Sequence, residues 1–330
     1  MTALANFATS ALHRLPAEMA HRIAVSALTA GLGSRAATDP PALSVKLCGL
    51  TLPNPIGIAA GFDKDAEAYA GLLRAGAGFV EVGTVTPRPQ AGNPRPRLFR
   101  LPADGAVINR MGFNNRGMAA MAQRLAGRDR SAGIVGVNIG RNKDGDDSDY
   151  KTCFKILAPL ADYITVNVSS PNTSGLRQSQ GRDALSALIE SLQEVRTRLG
   201  LTLPLLVKIA PDLTHEQRQD IADVALSSGL DGLVISNTTI ARADTLQSPA
   251  RSEKGGLSGR PLMAPSTALL AEMHQLTEAK LPLIGTGGIA SAGDARAKIA
   301  AGATLVQLYT ALAYRGPRLI REIKRGLATA

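Results

Sequence analysis

The run ITVNVSSPNTSGL at 164–176 opens as a buried strand and closes as something no strand needs. Ile164, Val166 and Val168 are the β-branched residues of a strand in a parallel sheet. The run is interrupted at Asn167 and then breaks off into Ser169, Ser170, Pro171, Asn172 and Thr173. A strand that only has to stop can do so at a single Gly or Asp-Gly turn. The surplus of polar residues marks a strand end that carries chemistry.

Short apolar runs of the same kind recur from residue 56 onward, separated by longer stretches of helical character: IGIAA (56–60), FVEVG (79–83), IVGVNIG (134–140), YITVNV (163–168), LLVKIA (205–210), GLVISN (232–237), PLIGTG (282–287) and TLVQLY (304–309). Eight strands, each followed by a helix, is the count of a closed (β/α)8 TIM barrel. Residues 182–199 place Leu185, Leu188, Ile189, Leu192 and Val195 on one helical stripe. Thr214 with Gln217 forms a capping box for a helix that runs to Ser228 and closes at Gly229. The run LSVKLCGLTL (43–52) predicts a hairpin turning at Cys48-Gly49, a floor for the barrel. An open doubly wound sheet is the rival fold, but its Gly-rich dinucleotide turn is absent, as is a P-loop. The expected organisation is an N-terminal two-helix extension over 1–38 and an α/β barrel over 39–330. In the extension, helix-like pieces at 4–12 and 16–30 meet at Pro16. Met19, Ile23 and Leu28, with Leu12 and Leu15, would form an apolar face, an ordinary helical cap on the barrel being the alternative.

Composition narrows the function. Aromatic residues are 3% of the 330 residues, with no Trp, which argues against a stacking surface for single-stranded nucleic acid. The net charge of +10 is spread along the chain rather than gathered into a run, as in a basic globular enzyme. Cys48 and Cys153 are far apart and signal neither a zinc site nor a disulfide framework, which fits a reducing cytoplasm. No stretch reaches the roughly 18 apolar residues of a spanning helix. The longest, 47–62 and 299–314, read as strand and loop, and no signal peptide is expected.

In a barrel the C-terminal ends of the strands share one face, and the polar residues of this sequence collect there. The strands run into Gly61-Phe62-Asp63-Lys64, Thr84, Asn138, then Asn167 with Ser170 and Asn172, Lys208, Ser236-Asn237-Thr238, Gly287-Gly288 and Tyr309-Thr310. An isolated Asn or Thr at a strand end is ordinarily a turn residue. Lys208 differs, because burying its ammonium without a partner costs several kcal/mol, so it is expected to meet a bound anion or an electron-rich ring. Lys64 is either a second such group or half of a surface pair with Asp63. Gly255, Gly256, Gly259, Gly285, Gly287 and Gly288 flank the last strands, where loops often bind phosphate through backbone N–H groups, and suggest a phosphate-bearing cofactor. His13, His21, His215 and His274 fall outside every strand end, so no His base or metal cluster is expected. Carboxamides, hydroxyls and two lysines suit a small planar anion and electron chemistry done by a cofactor.

The ordered motifs AAGFDKD, EVGTVTPRPQAGNPRPRLFRLP, INRMGFNN, VNIGRNKD, VNVSSPNTSGLR, KIAPDL, SNTT, GGLSGRPL, GTGGI and VQLYTAL resemble the dihydroorotate dehydrogenase family in its membrane-associated, quinone-using class, over essentially the whole chain. The resemblance implies oxidation of dihydroorotate to orotate in pyrimidine biosynthesis, with FMN as cofactor and a membrane quinone as acceptor. It implies that Ser170, helped by Thr173 and Phe113, takes a proton from C5 while hydride leaves C6 for FMN; cytosolic relatives carry Cys there. Substrate contacts are implied for Lys64, Asn109, Arg110, Met111, Gly112, Phe113, Asn167, Asn172, Asn237 and Thr238. FMN contacts are implied for Ala60, Gly61, Thr84, Asn138, Asn167, Lys208, Ser236, Gly259, Gly288, Tyr309 and Thr310, with Lys208 near the N1–C2 edge; at 236 the family often has Thr. The stretch AHRIAV resembles the family's two-helix extension, which lies in the membrane interface and roofs a quinone tunnel, and His21 and Arg100 match its lining. A monomer on the cytoplasmic face of a bacterial inner membrane is the expected setting. A flavin barrel acting on tRNA and a non-catalytic membrane-attached binding protein are the competing readings.

Overall fold

In the computed structural model, which describes residues 12–32, 35–173 and 175–329, all eight predicted runs are strands. They are β3 (Ile56–Ile58), β4 (Phe79–Val85), β7 (Ile134–Ile139), β8 (Tyr163–Asn167), β9 (Leu205–Ile209), β10 (Gly232–Ile235), β12 (Leu283–Thr286) and β13 (Ala303–Leu308). They close in the order β10-β12-β13-β3-β4-β7-β8-β9, every neighbouring pair parallel. Around them run α2 (Tyr69–Arg74), α3 (Met118–Ala126), α4 (Ser148–Leu157), α5 (Arg182–Arg198), α6 (His215–Ser227), α7 (Met263–Leu276), α8 (Ala292–Ala300), α9 (Thr310–Arg315) and α10 (Arg318–Ala328). The stripe read from 182–199 is the buried side of α5, and α6 carries the Thr214–Gln217 capping box. The 299–314 segment departs from the reading as strand and loop: it ends α8, crosses as β13 and starts α9.

The strands look uniformly apolar because both their faces are buried, yet the period of two survives. Val80, Val82, Val135, Val137, Ile164, Val166, Val207 and Val306 belong to the main core beneath the helices. Phe79, Tyr163, Leu206, Val234, Ile284 and Leu305 point inward, forming a separate cluster with Leu47 and Leu52. Those two leucines come from the predicted hairpin, β1 (Val45–Leu47) and β2 (Leu50–Leu52), which closes the barrel's N-terminal end. Two glycines make the floor possible: a Cβ on Gly57 would overlap the Phe79 ring, and one on Gly136 the Tyr163 ring. With apolar side chains filling the bottom, the next inward residues up the strands form a polar layer, and the cavity lies above it.

Three strands were not foreseen. β5 (Leu98–Leu101), β6 (Ala106–Asn109) and β11 (Gly256–Gly259) form an antiparallel sheet in the order β11-β6-β5, with a small core of Leu101, Ala106, Ile108, Leu246 and Leu257. They lie inside long inter-strand stretches whose Gly and Pro mask the alternation. The sheet carries Asn109 and Gly259 to the cavity.

At the N-terminus the predicted 4–12 helix lies, apart from Leu12, outside the described residues. The second piece is α1 (Ala17–Thr29), packed against α2 and β5. Met19 and Ile23 face solvent whereas Leu28 is buried, so the three do not share a face. Five residues turn a helix by about 140° beyond a full turn, which sends Leu28 inward against Gly71. Glu18 pairs with the buried Arg97 at 2.7 Å, and Arg100 donates to the carbonyls of His13 and Leu15. No helix among the described residues is long and apolar enough to cross a membrane.

Candidate active site

The strand ends surround a cavity of about 390 Å³. The polar layer beneath it is organised by Glu81, the inward residue two places above Phe79, which is wholly buried. Its Oε1 accepts from Asn138 Nδ2 at 2.7 Å, and its Oε2 from Gln307 Nε2 at 2.8 Å, Thr165 Oγ1 at 3.1 Å and Tyr163 Oη at 3.2 Å. Because Asn138 donates downward, its Oδ1 is left to accept from Thr84 Oγ1 at 2.6 Å and Asn167 Nδ2 at 3.2 Å. Asn167 Oδ1 in turn accepts from Asn237 Nδ2 at 3.3 Å and Ser169 Oγ at 3.1 Å. One carboxylate thus fixes the amide orientations up to the cavity wall.

Lys208 rises from the same layer, paired in register with Asn167 across β8 and β9. It is 5% exposed and its ammonium has no hydrogen-bonding partner among the described residues. Burial lowers its pKa while the nearby Glu81 charge opposes that. A group held this way is poised for a ligand in the cavity.

On the opposite wall, Lys64 Nζ donates to the Gly61 carbonyl at 2.8 Å. The surface pair with Asp63 does not form, because Asp63 accepts instead from the backbone N–H groups of Glu67 (2.8 Å) and Ala68 (2.7 Å) ahead of α2. Burial pushes the Asp63 carboxyl up to about 6 despite these bonds. Burial draws Lys64 down to about 8, countered by the charges of Asp65 and Glu18.

The stretch at 164–176 takes the form its residues require. β8 ends at Asn167, after which Ser169 turns to Asn167 and Asn237 while Ser170 faces the cavity. Ser170 Oγ accepts from Asn172 N at 3.2 Å, and Asn172 Nδ2 donates to the Asn109 carbonyl at 3.1 Å. Arg177 braces the loop from behind, donating to the carbonyls of Ser169 and Thr238, each at 3.3 Å, and pairing with Asp212 at 2.9 Å. Across the mouth, Gly112 and Phe113 both adopt left-handed backbone (φ 68° and 51°), folding Phe113 toward Thr84 and Gly140.

Of the residues singled out in the sequence, Ala60, Gly61, Lys64, Thr84, Asn109, Met111, Gly112, Phe113, Asn167, Ser170, Asn172, Lys208, Ser236, Asn237, Thr238, Gly259, Gly288, Tyr309 and Thr310 line this one cavity. Of the flanking glycines Gly287 also lines it, whereas Gly255, Gly256 and Gly285 do not, and five others given a site role stand apart. Asn138 lies one layer below, under Thr84 and Asn167. Arg110 turns its guanidinium away, to Glu253 at 2.7 Å and over the Phe99 ring at 4.5 Å. Thr173 is buried beside the wall. His21, within α1, stands edge-on to Phe62 (5.2 Å), which is edge-on to Tyr309 (6.1 Å). Burial, reinforced by the Lys64 charge, lowers the His21 pKa to about 3. Arg100 anchors the segment before α1.

Sequence reasoning missed Glu81 and Gln307, although a carboxylate within FVEVG and an amide within TLVQLY were visible signals of an inward polar layer. It also missed Tyr314 and Arg315, which reach the cavity from α9 and carry no signal in the sequence.

With this geometry in place, the comparisons are specific. The family model for dihydroorotate dehydrogenase matches residues 42–330. A dihydroorotate dehydrogenase (quinone) of Parvibaculum lavamentivorans is 55% identical over 314 residues, covering 94% of this chain and 89% of its own. One from Rhodospirillum rubrum is 54% identical, covering 95% of this chain and 87% of its own. The crystal structure of ligand-free DHODH from Eimeria tenella superposes with a TM-score of 0.92 at 44% identity, covering 94% of both chains. The same protein in complex with ferulenol gives 0.91 at 43%, covering 94% of this chain and 90% of its own.

Proposed function

The chain belongs to the dihydroorotate dehydrogenase family, in its quinone-dependent class, and from that premise we propose how its cavity performs the reaction. The enzyme oxidises dihydroorotate to orotate in pyrimidine biosynthesis and passes the electrons to a quinone. The reading of a flavin barrel acting on tRNA is not favoured, since the relatives carry the dihydroorotate activity in their names.

The flavin is FMN in this reading, and the cavity residues fit it. Lys208 offers an unpartnered ammonium for the electron-rich ring, and the glycines after β12 offer backbone amides for a phosphate. Ala60, Gly61, Thr84, Asn167, Lys208, Ser236, Gly259, Gly288, Tyr309 and Thr310 would hold the cofactor, with Asn138 positioning Thr84 and Asn167 from below. Bound FMN supplies the hydride acceptor.

Lys64 counters the substrate carboxylate, while Asn109, Asn167, Asn172 and Asn237 match the ring's N–H and C=O groups. Met111, Gly112, Phe113 and Thr238 complete that wall, Arg110 positioning it from behind through its backbone bonds to Arg97 and Asn93. Ser170 Oγ, once its own hydroxyl proton has passed to solvent, takes the proton from C5. A serine is a weak base at its free pKa, and the hydrogen bond from Asn172 N stabilises charge on its oxygen. Thr173 and Phe113 enclose it against water.

Residues 1–38 form the membrane-associating segment and 39–330 the catalytic barrel. Exposed Met19, Ile23 and Leu32 give the segment apolar contacts for the membrane interface. His21 and Arg100 flank the route from the quinone, the rings of His21, Phe62 and Tyr309 leading to the cavity. The enzyme works as a monomer, peripheral to the cytoplasmic face of a bacterial inner membrane.

The convergence of Ser170, Lys64 and Lys208 on one cavity carries the reading. Its test is Ser170→Ala, which should keep its flavin yet show flavin reduction by dihydroorotate slowed at least about a hundredfold at neutral pH, the scale of a lost general base. Unchanged reduction in stopped flow would remove Ser170 from the mechanism.

A further inference from the structure

Outside the barrel wall, between α7 and α8, lies a lysine that the reaction does not use. Lys298 is 0% exposed, and its Nζ donates to Ser266 Oγ at 2.6 Å. Among the described residues that hydroxyl is its only hydrogen-bonding partner, and no carboxylate lies within ion-pairing distance. Asp294, one turn earlier on α8, accepts from Ala290 N at 2.9 Å instead. An ammonium buried against one neutral hydroxyl is unfavourable to folding, and an apolar side chain of the same volume would serve packing better. Stability therefore does not account for it.

The hydroxyl leads back to the cavity. Ser266, also 0% exposed, donates at 2.6 Å to Leu262 O, with Gly287 O at 3.2 Å and Met263 O at 3.3 Å also within reach of its hydroxyl. The Gly287–Gly288 peptide is not among the cis bonds, so the N–H of Gly288 points opposite to the Gly287 carbonyl. With that carbonyl turned out toward Ser266, the Gly288 amide is turned inward, where both glycines line the cavity. Both glycines have positive φ (108° and 80°), and a Cβ on Gly288 would overlap Met263. The loop is thus held from behind by a chain of two side chains ending in a positive charge.

We infer that Lys298 is a positioning residue for the flavin phosphate: through Ser266 it fixes the Gly287–Gly288 peptide with its amide toward the cavity, and it places a positive charge behind that amide for a phosphate monoester. This rests on the reading that the cavity holds FMN. Burial draws the Lys298 pKa down to about 7, and a dianion across the loop would favour the charged form again.

The test separates phosphate binding from folding by comparing FMN with riboflavin, which lacks only the phosphate. Full-length parent and Lys298→Met proteins are titrated with each flavin, and dissociation constants are read from fluorescence quenching. Lys298→Met should weaken FMN at least about tenfold, as for loss of a charge-assisted contact, and leave riboflavin within about twofold. Equal losses for both flavins, or no loss for FMN, would overturn the inference. Ser266→Ala, which removes only the connecting hydroxyl, should lower the same FMN preference and decides the matter if Lys298→Met does not fold; an unchanged preference there would also overturn it. Failure of the parent chain to bind FMN would instead defeat the flavin reading itself.

Discussion

At the scale of single residues, Lys64 shows how burial sets a working range. Its pKa is drawn down to about 8, so the ammonium is fully present below that value and lost above it. An anionic ligand prefers the charged form. Orotate affinity should therefore be flat from about pH 6.5 to near 8 and fall above it, approaching tenfold per pH unit if the carboxylate depends on this charge alone. Lys64→Met should bind orotate weakly with that step removed. Equilibrium titration to about pH 9.5 checks this, and an affinity independent of pH in the parent protein would free Lys64 from the role. Lys208 was legible in the sequence because an ammonium inside a strand has no cheap burial, whereas Lys64 stayed open between such a group and a surface pair until Asp63 was seen to bond to backbone N–H groups instead. Glu81 was equally legible and was passed over because its neighbours in FVEVG dominate the pattern. Arg110 could not be read at all: its side chain leaves for Glu253 and Phe99, which are distant in sequence or lie on the unforeseen sheet.

At the scale of elements, the barrel strands were legible within one or two residues because each is bounded by Gly, Pro or a polar cluster, and the hairpin at 43–52 turned where Cys48-Gly49 said it would. The β5-β6-β11 sheet was not legible, since β11 reaches β6 from far along the chain and each strand, including those of the β5–β6 hairpin, holds only four residues. The N-terminal helix α1 is held to this sheet's side of the barrel by the Glu18–Arg97 pair and by Leu28 against Gly71. None of these contacts is made to a side chain placed on the substrate; Glu18 acts on Lys64, and Lys64 on His21, through charge. Deleting residues 1–38 should therefore leave anaerobic flavin reduction by dihydroorotate within about threefold of the parent, a barrier change of no more than about 0.7 kcal/mol. The same deletion should cripple quinone turnover and lipid association. Normal quinone kinetics in the truncated protein, measured with a soluble quinone and with vesicles, would refute the part given to the segment.

At the scale of the whole molecule, three layers divide the labour. An apolar floor closed by Leu47 and Leu52 excludes water from below, a polar layer ordered by Glu81 fixes the amides, and the cavity above gathers the hydroxyl of Ser170 with two ammonium groups. The layering explains why carboxamides can face a small planar anion without collapsing onto one another: their second hydrogen bonds are already committed downward. The most direct measurement is an anaerobic absorption spectrum of the purified full-length protein before and after addition of dihydroorotate. An oxidised flavin spectrum is expected that bleaches on addition and returns when quinone is supplied. A folded, colourless protein, or a flavin that dihydroorotate leaves oxidised, would contradict it.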